Sequence, residues 1–348
     1  SPQCRMKPAT LKEPSETEVM SNNNFKLVVN GQAIETENVF SVTNPSTGEV
    51  IAFAPEAESE HVELALQSAL TAFADWSKRT LNQRSEVILR YAALLEEHRE
   101  EIIALLMAET GKPRDNAEYD FGMLTTCLKF FDEEAARIEQ PAIPDPDGNF
   151  LNYVCRQPLG VVVGYLAWNF PLLNFGYKIG PVLASGCTAI IKPSRETPLA
   201  TLRCAELAIE AGVPEGVINV IASSNHDVTT PLLTSESVAM FTMIGSTNAG
   251  VRAMKTALTN VKHFSVELGG NAPVVVYPDA DVEAAARGVA ELKFSNTGQV
   301  CVSPNRCFVH ESILDEFLQA CESYATSIEF APGEASGPQM GPMINGKE

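Results

Sequence analysis

The sequence predicts an α/β fold: a doubly wound, mostly parallel sheet followed by a second, incomplete α/β segment. Two observations carry this. From Leu159 onward, short apolar runs rich in Val and Ile alternate with helical stretches, the rhythm of β-α-β units with helices on both sheet faces. Hydrophobic residues make up 45% of the 348 and charged residues 20%, so the chain can bury a core of about two domains without disulfide or metal staples.

The elements follow in order. Residues 1–24, rich in Ser, Glu, Pro, Thr and Asn, read as a flexible tail. Phe25 to Ala54 reads as short strands, with Asn30-Gly31 as a turn and Asn44-Pro45 and Gly48 as breaks. Val62, Leu66, Ala69, Leu70 and Phe73 share one helical face. Thr80-Leu-Asn-Gln83 is a capping box; it opens a helix whose buried stripe includes Ile88, Tyr91, Leu95, Ile102 and Leu105. A third helix runs from about Asp115 to Arg137, and three prolines between Gln140 and Gly148 end the helical run. Phe150 to Pro158 reads as extended. Strands are then predicted at Gly160–Ala167, Thr188–Ile191, Val217–Ile221, Val238–Met243 and Pro273–Val276, and helices at Ile179–Ala184, Ala200–Ala211 and Ala249–Ala257.

The net charge of −19 argues against nucleic acid or an anionic membrane as the main partner. No apolar run reaches the roughly 18 residues that span a bilayer, and no signal-peptide pattern opens the chain. The eight cysteines are scattered, without a C-x-x-C pair or a His spacing suited to zinc. They read as reduced thiols of a cytoplasmic protein with no metal site. Any one of them alone is more often a small core residue than a nucleophile.

Four stretches stand out near predicted strand ends, where open α/β sheets bind ligands. They are Trp168-Asn169-Phe170-Pro171, Lys192-Pro193-Ser194, Gly245-Ser246-Thr247 with Gly250, and Glu267-Leu268-Gly269-Gly270 paired with Gly298-Gln299-Val300-Cys301. From residues alone, Asn169 suits a turn before proline. Ser246 suits a helix N-cap, and a helix N-terminus suits phosphate.

In this order, with 34 residues from Glu267 to Cys301, the stretches resemble the aldehyde dehydrogenase superfamily from about Phe25 to Asn345. The resemblance implies a Rossmann-like cofactor domain, an NAD or NADP cofactor and a small-molecule aldehyde substrate. It implies that Cys301 is the nucleophile, whose thiolate adds to the aldehyde and carries the thioester left after hydride transfer. It implies that Glu267 is the general base that activates water against that thioester, and that Asn169 donates to the oxyanion. Relatives that form acyl-CoA usually lack this Glu, so a free acid is the expected product. Cofactor contacts are implied at Trp168, Lys192, Ser194, Arg195, Gly245, Ser246, Gly250 and Leu268, with Lys192 on the adenosine ribose and Ser246 on the pyrophosphate.

The chain departs from the family pattern at several positions. Arg195 stands where many members have a Glu that binds the ribose hydroxyls, so NADP is expected to be tolerated. Tyr177 stands in the substrate pocket where members acting on succinate semialdehyde or lactaldehyde often have Arg, which could pair with a substrate carboxylate, so a neutral aldehyde is favoured. Ser303 replaces a second Cys beside the nucleophile, so no disulfide switch is expected there.

The resemblance divides the chain into a cofactor-binding domain (25–140 and 159–268), an oligomerisation arm (141–158) and an incomplete, truncated catalytic domain (269–348). Family chains continue further, through a Glu-x-Phe-Gly motif and a C-terminal strand, and the full-length protein is expected to be a homodimer or homotetramer. The alternative reading is a truncated cofactor-binding module without turnover.

Overall fold

The computed structural model describes residues 25–330 and 339–348; the tail read over 1–24 lies outside the described residues. The first strands β1 (Leu27–Val29) and β2 (Gln32–Ile34) form an antiparallel hairpin. Its turn places Asn30 at φ 54° and Gly31 at φ 70°, the pair of positive values a type I′ turn needs. A second hairpin joins β3 (Val39–Thr43) to β4 (Val50–Pro55).

Four helices follow: α1 (Ser59–Trp76), α2 (Leu81–Glu97), α3 (Arg99–Thr110) and α4 (Arg114–Ala136). The capping box at Thr80 is present. The Gln83 N–H donates to the Thr80 hydroxyl at 3.3 Å, and the Thr80 N–H donates to the Gln83 side chain at 2.9 Å. The stripe from Ile88 to Leu105 is buried, but it lies on two helices, not one. His98, at φ −99° and ψ 15°, ends α2 and starts α3, where Glu100 and Glu101 favour a fresh N-terminus. A short antiparallel pair, β5 (Ala142–Ile143) and β6 (Asn152–Tyr153), projects from the prolines that end α4.

The central sheet is built from β7 (Val161–Tyr165), β8 (Thr188–Lys192), β9 (Ile218–Val220), β10 (Val238–Ile244) and β11 (His263–Glu267), all parallel, with β1 and β2 added antiparallel at one edge. The order is β11-β10-β7-β8-β9-β1-β2. The chain winds outward from β7 in one direction through β8 and β9, then returns to wind the other way through β10 and β11. The switch point lies between β7 and β10. Every residue of β8 and β9 is buried, as a strand covered on both faces must be. Helices α5 (Pro171–Ser185) and α6 (Leu199–Glu210), together with α1, pack on these strands.

Helix α5 is longer than its sequence suggests. Gly176, Gly180 and Pro181 mask the helical pattern, yet Pro171 at its start is well suited to the first turn. The glycines let α5 approach α4 closely: a Cβ at Gly176 would lie 3.0 Å from Leu124 Cα. Strand β11 is absent from the sequence reading, because only Phe264 and Val266 of its five residues are apolar and it lies at an open edge.

After α7 (Thr230–Thr234) and α8 (Thr247–Ala257), the chain leaves the large sheet. Strand β12 (Pro273–Val276) pairs in parallel with β13 (Arg306–Val309) in a separate sheet, with α9 (Val282–Phe294) and α10 (Leu314–Thr326) beside it. Val276, Val282, Ala286 and Phe317 form a small second core, distinct from the large one that runs from Phe25 to Ala257. A last parallel pair joins β14 (Glu329–Phe330) to β15 (Gln339–Met340).

Candidate active site

The parallel register aligns the strand ends that carry the motifs. Tyr165 of β7 pairs with Lys192 of β8 on one side and with Met243 of β10 on the other. Ile244 of β10 pairs with Glu267 of β11, and the Gly245 N–H donates to the Glu267 carbonyl at 3.0 Å. The segments after Tyr165, Lys192, Ile244 and Glu267 therefore leave one edge of the sheet together, flanking the switch point. This is where such sheets bind their ligands.

Asn169 lies between β7 and α5, and its side-chain Nδ2 donates to the Gln299 carbonyl at 3.0 Å. That bond ties the turn after β7 to the segment two residues before Cys301. Asn174 Nδ2 approaches Asn169 Oδ1 at 3.4 Å and so orients the amide. The approach to Cys301 is an unusual backbone path. Asn296, Thr297 and Gly298 take successive φ values of 47°, 61° and 72°, and left-handed non-glycine residues of this kind gather at functional sites. Asn296 is buried, and its Nδ2 lies 3.0 Å from the Asn169 carbonyl and 3.3 Å from that of Gln299. The Gln299 side chain in turn accepts the Ile344 N–H at 2.9 Å.

Cys301 is a free, exposed thiol, whereas Cys127, Cys187 and Cys204 are buried. Burial pushes the Cys127 thiol up to about 11, leaving it inert as a nucleophile. Glu267 ends β11, and the loop after it passes close to Cys301: a Cβ on Gly270 would lie 3.5 Å from the Cys301 carbonyl oxygen. Tyr177 lies within reach of the charges of both. Partial burial raises its phenol, and the charges of Cys127, Tyr119, Glu267 and Cys301 act in the same direction. Tyr177 and Glu267 also line a cleft of about 490 Å³ with Lys178, Met240, Thr242 and Ser265.

The ends of β8 and β10 are equally ordered. Lys192 is buried; its ammonium lies 5.8 Å from the centre of the Tyr165 ring. Burial depresses it to about 8, with Glu56 opposing the shift and Arg195 adding to it. Glu56 also fixes the loop after β9, accepting the Ser223 hydroxyl at 2.5 Å and the Ser224 hydroxyl at 2.6 Å. Arg195 is exposed and pairs loosely with Glu196 at 3.6 Å. His226 is depressed by partial burial first, then by the positive charges of Lys192, Arg252 and Arg195, which mark a cationic corner. Ser246 caps α8, its hydroxyl accepting the Ala249 N–H at 3.3 Å. Thr247 and Asn248 of the first turn are exposed. Gly250 presses against Leu268, where a Cβ would meet Leu268 Cδ2 at 2.5 Å, so α8 starts close to the exit of β11. Trp168 joins the same edge through its carbonyl, which accepts from the Thr197 hydroxyl at 3.4 Å. Ser194 caps its own turn, accepting the Glu196 N–H at 3.3 Å.

Four polar residues of this site escape the sequence reading: Lys112, Asp120, Lys178 and Asn296. Lys178 is buried, and burial lowers its ammonium while the charge of Glu267 acts against that shift. Its signal was a charged residue within the apolar run that opens Ile179–Ala184. Lys112, Asp120 and Asn296 carry no comparable pattern, since the Asn169 carbonyl that Lys112 and Asn296 share stands 57 and 127 residues from them.

A parallel sheet with a switch point, a thiol after a left-handed turn and a carboxylate at the neighbouring strand end define one class of protein. The chain belongs to the aldehyde dehydrogenase family, whose model matches residues 32–348. It is 40% identical over 304 residues to the mitochondrial succinate-semialdehyde dehydrogenase of Arabidopsis thaliana, covering 87% of this chain and 58% of that protein. It is 34% identical over 322 residues to the succinate-semialdehyde dehydrogenase [NADP(+)] of Escherichia coli, covering 92% of this chain and 67% of that protein. The solved structure of succinate-semialdehyde dehydrogenase from Burkholderia pseudomallei superposes with a TM-score of 0.90 at 32% identity, over 97% of this chain and 69% of that one. The chain thus spans about three-fifths to two-thirds of the length of these relatives.

Proposed function

We propose that this protein oxidises an aldehyde to a carboxylic acid with NAD or NADP, consuming one water and releasing one proton. The observation that supports the reading is the pair of contacts that draw the segments of Asn169, Glu267 and Cys301 together: the Asn169 amide on the Gln299 carbonyl, and Gly270, three residues after Glu267, beside the Cys301 carbonyl. The residues present fit a dinucleotide. The exposed first turn of α8 suits its pyrophosphate, the Gly250–Leu268 contact keeps that turn close to the β11 exit, and Lys192 suits its ribose. When bound, the cofactor supplies the hydride acceptor.

The chain's own residues do the rest. The Cys301 thiolate adds to the carbonyl carbon, and the Asn169 amide donates to the oxygen as it gains negative charge. Collapse of that adduct releases hydride and leaves a thioester on Cys301. Glu267 takes a proton from water, which attacks the thioester and returns the thiolate. We read 25–140 and 159–268 as the cofactor-binding domain, 141–158 as an oligomerisation arm and 269–348 as catalytic-domain sequence. The cationic corner of Lys192, Arg195 and Arg252 supports acceptance of the 2′-phosphate of NADP. The relatives' substrates carry a carboxylate, whereas Tyr177 supplies no positive charge to pair with one, so a neutral aldehyde is favoured.

The test is NAD(P)H formation with neutral, hydroxylated and carboxylated aldehydes, run beside Cys301→Ala. Turnover that disappears in the variant supports the reading. Cofactor binding without turnover for any aldehyde favours a binding module instead. A clear preference for NAD in parallel titrations would remove the NADP proposal, and a preference for carboxylated aldehydes would remove the Tyr177 argument.

A further inference from the structure

We infer that the buried Lys112–Asp120 pair positions the oxyanion donor, acting as a clamp on the Asn169 peptide. Lys112 follows α3 and Asp120 lies in α4, and the two side chains are 2% and 0% exposed. The Lys112 ammonium has three protons and three partners. Asp120 Oδ2 lies at 2.9 Å, the Asn169 carbonyl oxygen at 2.9 Å and the centre of the Phe170 ring at 4.4 Å. The other Asp120 oxygen accepts the Leu173 N–H at 2.7 Å. One ion pair therefore grips the turn at Asn169, Phe170 and Leu173.

The Asn169 carbonyl is gripped from the opposite side as well. Asn296 Nδ2 donates to it at 3.0 Å, so both lone pairs of that oxygen are occupied. The Asn169 peptide plane is thereby fixed between the helical layer and the turn that carries Cys301. The side-chain amide gives one N–H to Gln299, which leaves the second for the oxygen of the adduct on Cys301. Stability alone does not explain the arrangement, because buried ion pairs replaced by neutral groups often leave a protein as stable or more so. A donor that must sit correctly within a fraction of an ångström does explain it.

This inference rests on the reading of Asn169 as the oxyanion donor, and the test separates the two. Acylation by p-nitrophenyl acetate needs no cofactor: the Cys301 thiolate adds to the ester carbonyl, the oxygen takes the charge, and collapse expels p-nitrophenolate and leaves an acetyl thioester. Alkylation of the same thiol by iodoacetamide forms no oxyanion. The ratio of the two rates, followed on the Cys301 peptide by mass spectrometry, isolates the donor. The double variant Lys112→Met/Asp120→Asn removes the charges together and keeps an acceptor for Leu173. We expect its ratio to fall roughly ten- to hundredfold, the scale of a misplaced catalytic group, with alkylation unchanged. Asn169→Ala is expected to fall comparably, and the triple variant no further. Should the double variant not fold, Asp120→Asn alone is expected to lower the ratio at least severalfold. A folded pair variant with the wild-type ratio, beside a depressed Asn169→Ala, overturns the clamp alone. A wild-type ratio in Asn169→Ala overturns the oxyanion reading and the clamp with it. A merely structural pair would change both rates together, which also counts against the clamp.

Discussion

Lys192 and Glu109 show how single buried titratable groups set the behaviour of this protein. Lys192 loses its proton near pH 8 because it is buried, with Glu56, Arg195, His226 and the Tyr165 ring around it. A contact to the cofactor that needs the ammonium weakens as pH rises above that value. The dissociation constant for NADP is expected to rise by up to about tenfold per pH unit above 8, and titrations with Lys192→Met are expected to lose that dependence. Glu109 is buried at the end of α3, accepting the Leu199 N–H at 2.6 Å and the Ala200 N–H at 3.0 Å. Burial outweighs these bonds and pushes its carboxyl up to about 8 from an ordinary 4.5. The folded state holds this proton more tightly than the unfolded chain. The stabilisation is therefore complete below about pH 4.5 and is lost progressively as pH rises towards 8. Against Glu109→Gln, wild-type stability should fall by on the order of 1 kcal/mol per pH unit across that window, as measured by urea unfolding from pH 5 to 8. A constant difference between the two proteins would contradict this.

Helix α5 follows the turn at Asn169 and carries the cleft residues Tyr177 and Lys178, so its seat on α4 matters to the candidate site. Gly176 faces Leu124 Cα, and a methyl group there must move one helix backbone away from the other. Gly176→Ala is expected to destabilise by roughly 1–3 kcal/mol through overpacking, despite the helix propensity gained. A melting temperature equal to wild type would show that the contact is slack. This element also shows what the sequence could reveal. Strands β7, β8 and β10 were legible because they are buried and apolar, and Thr80 and Ser246 were legible as caps because capping is local chemistry. The first half of α5 was not, because glycines chosen for close helix contact look like helix breakers. Strand β11 was not, because its alternation rests on only two apolar residues, and it is specified by its neighbour β10. The clamp at Lys112 and Asp120 was invisible for a related reason: Lys112 and Asn169 stand 57 residues apart and meet only in three dimensions.

At the scale of the molecule, the large core is closed while the second is open. Strands β12 and β13 pair in parallel, an arrangement that elsewhere is covered on both faces, yet Val275 and Phe308 are 59% and 53% exposed. Among the described residues β11 is the last strand at one edge of the large sheet, and Phe150 and Leu151 are exposed just before β6. Exposed apolar surface of this kind drives association. Sedimentation at tens of micromolar is expected to show concentration-dependent self-association, and a single monomer boundary across that range would contradict the expectation. The residues to which we assign the chemistry, by contrast, all lie within this chain. The most direct measurement of that claim is the mass of the Cys301 peptide in Glu267→Gln after mixing with aldehyde and NADP. The account predicts about one NADPH per chain and an acyl adduct on Cys301 that appears only when the cofactor is present. NADPH without an adduct, or an adduct carried by another cysteine, would contradict it.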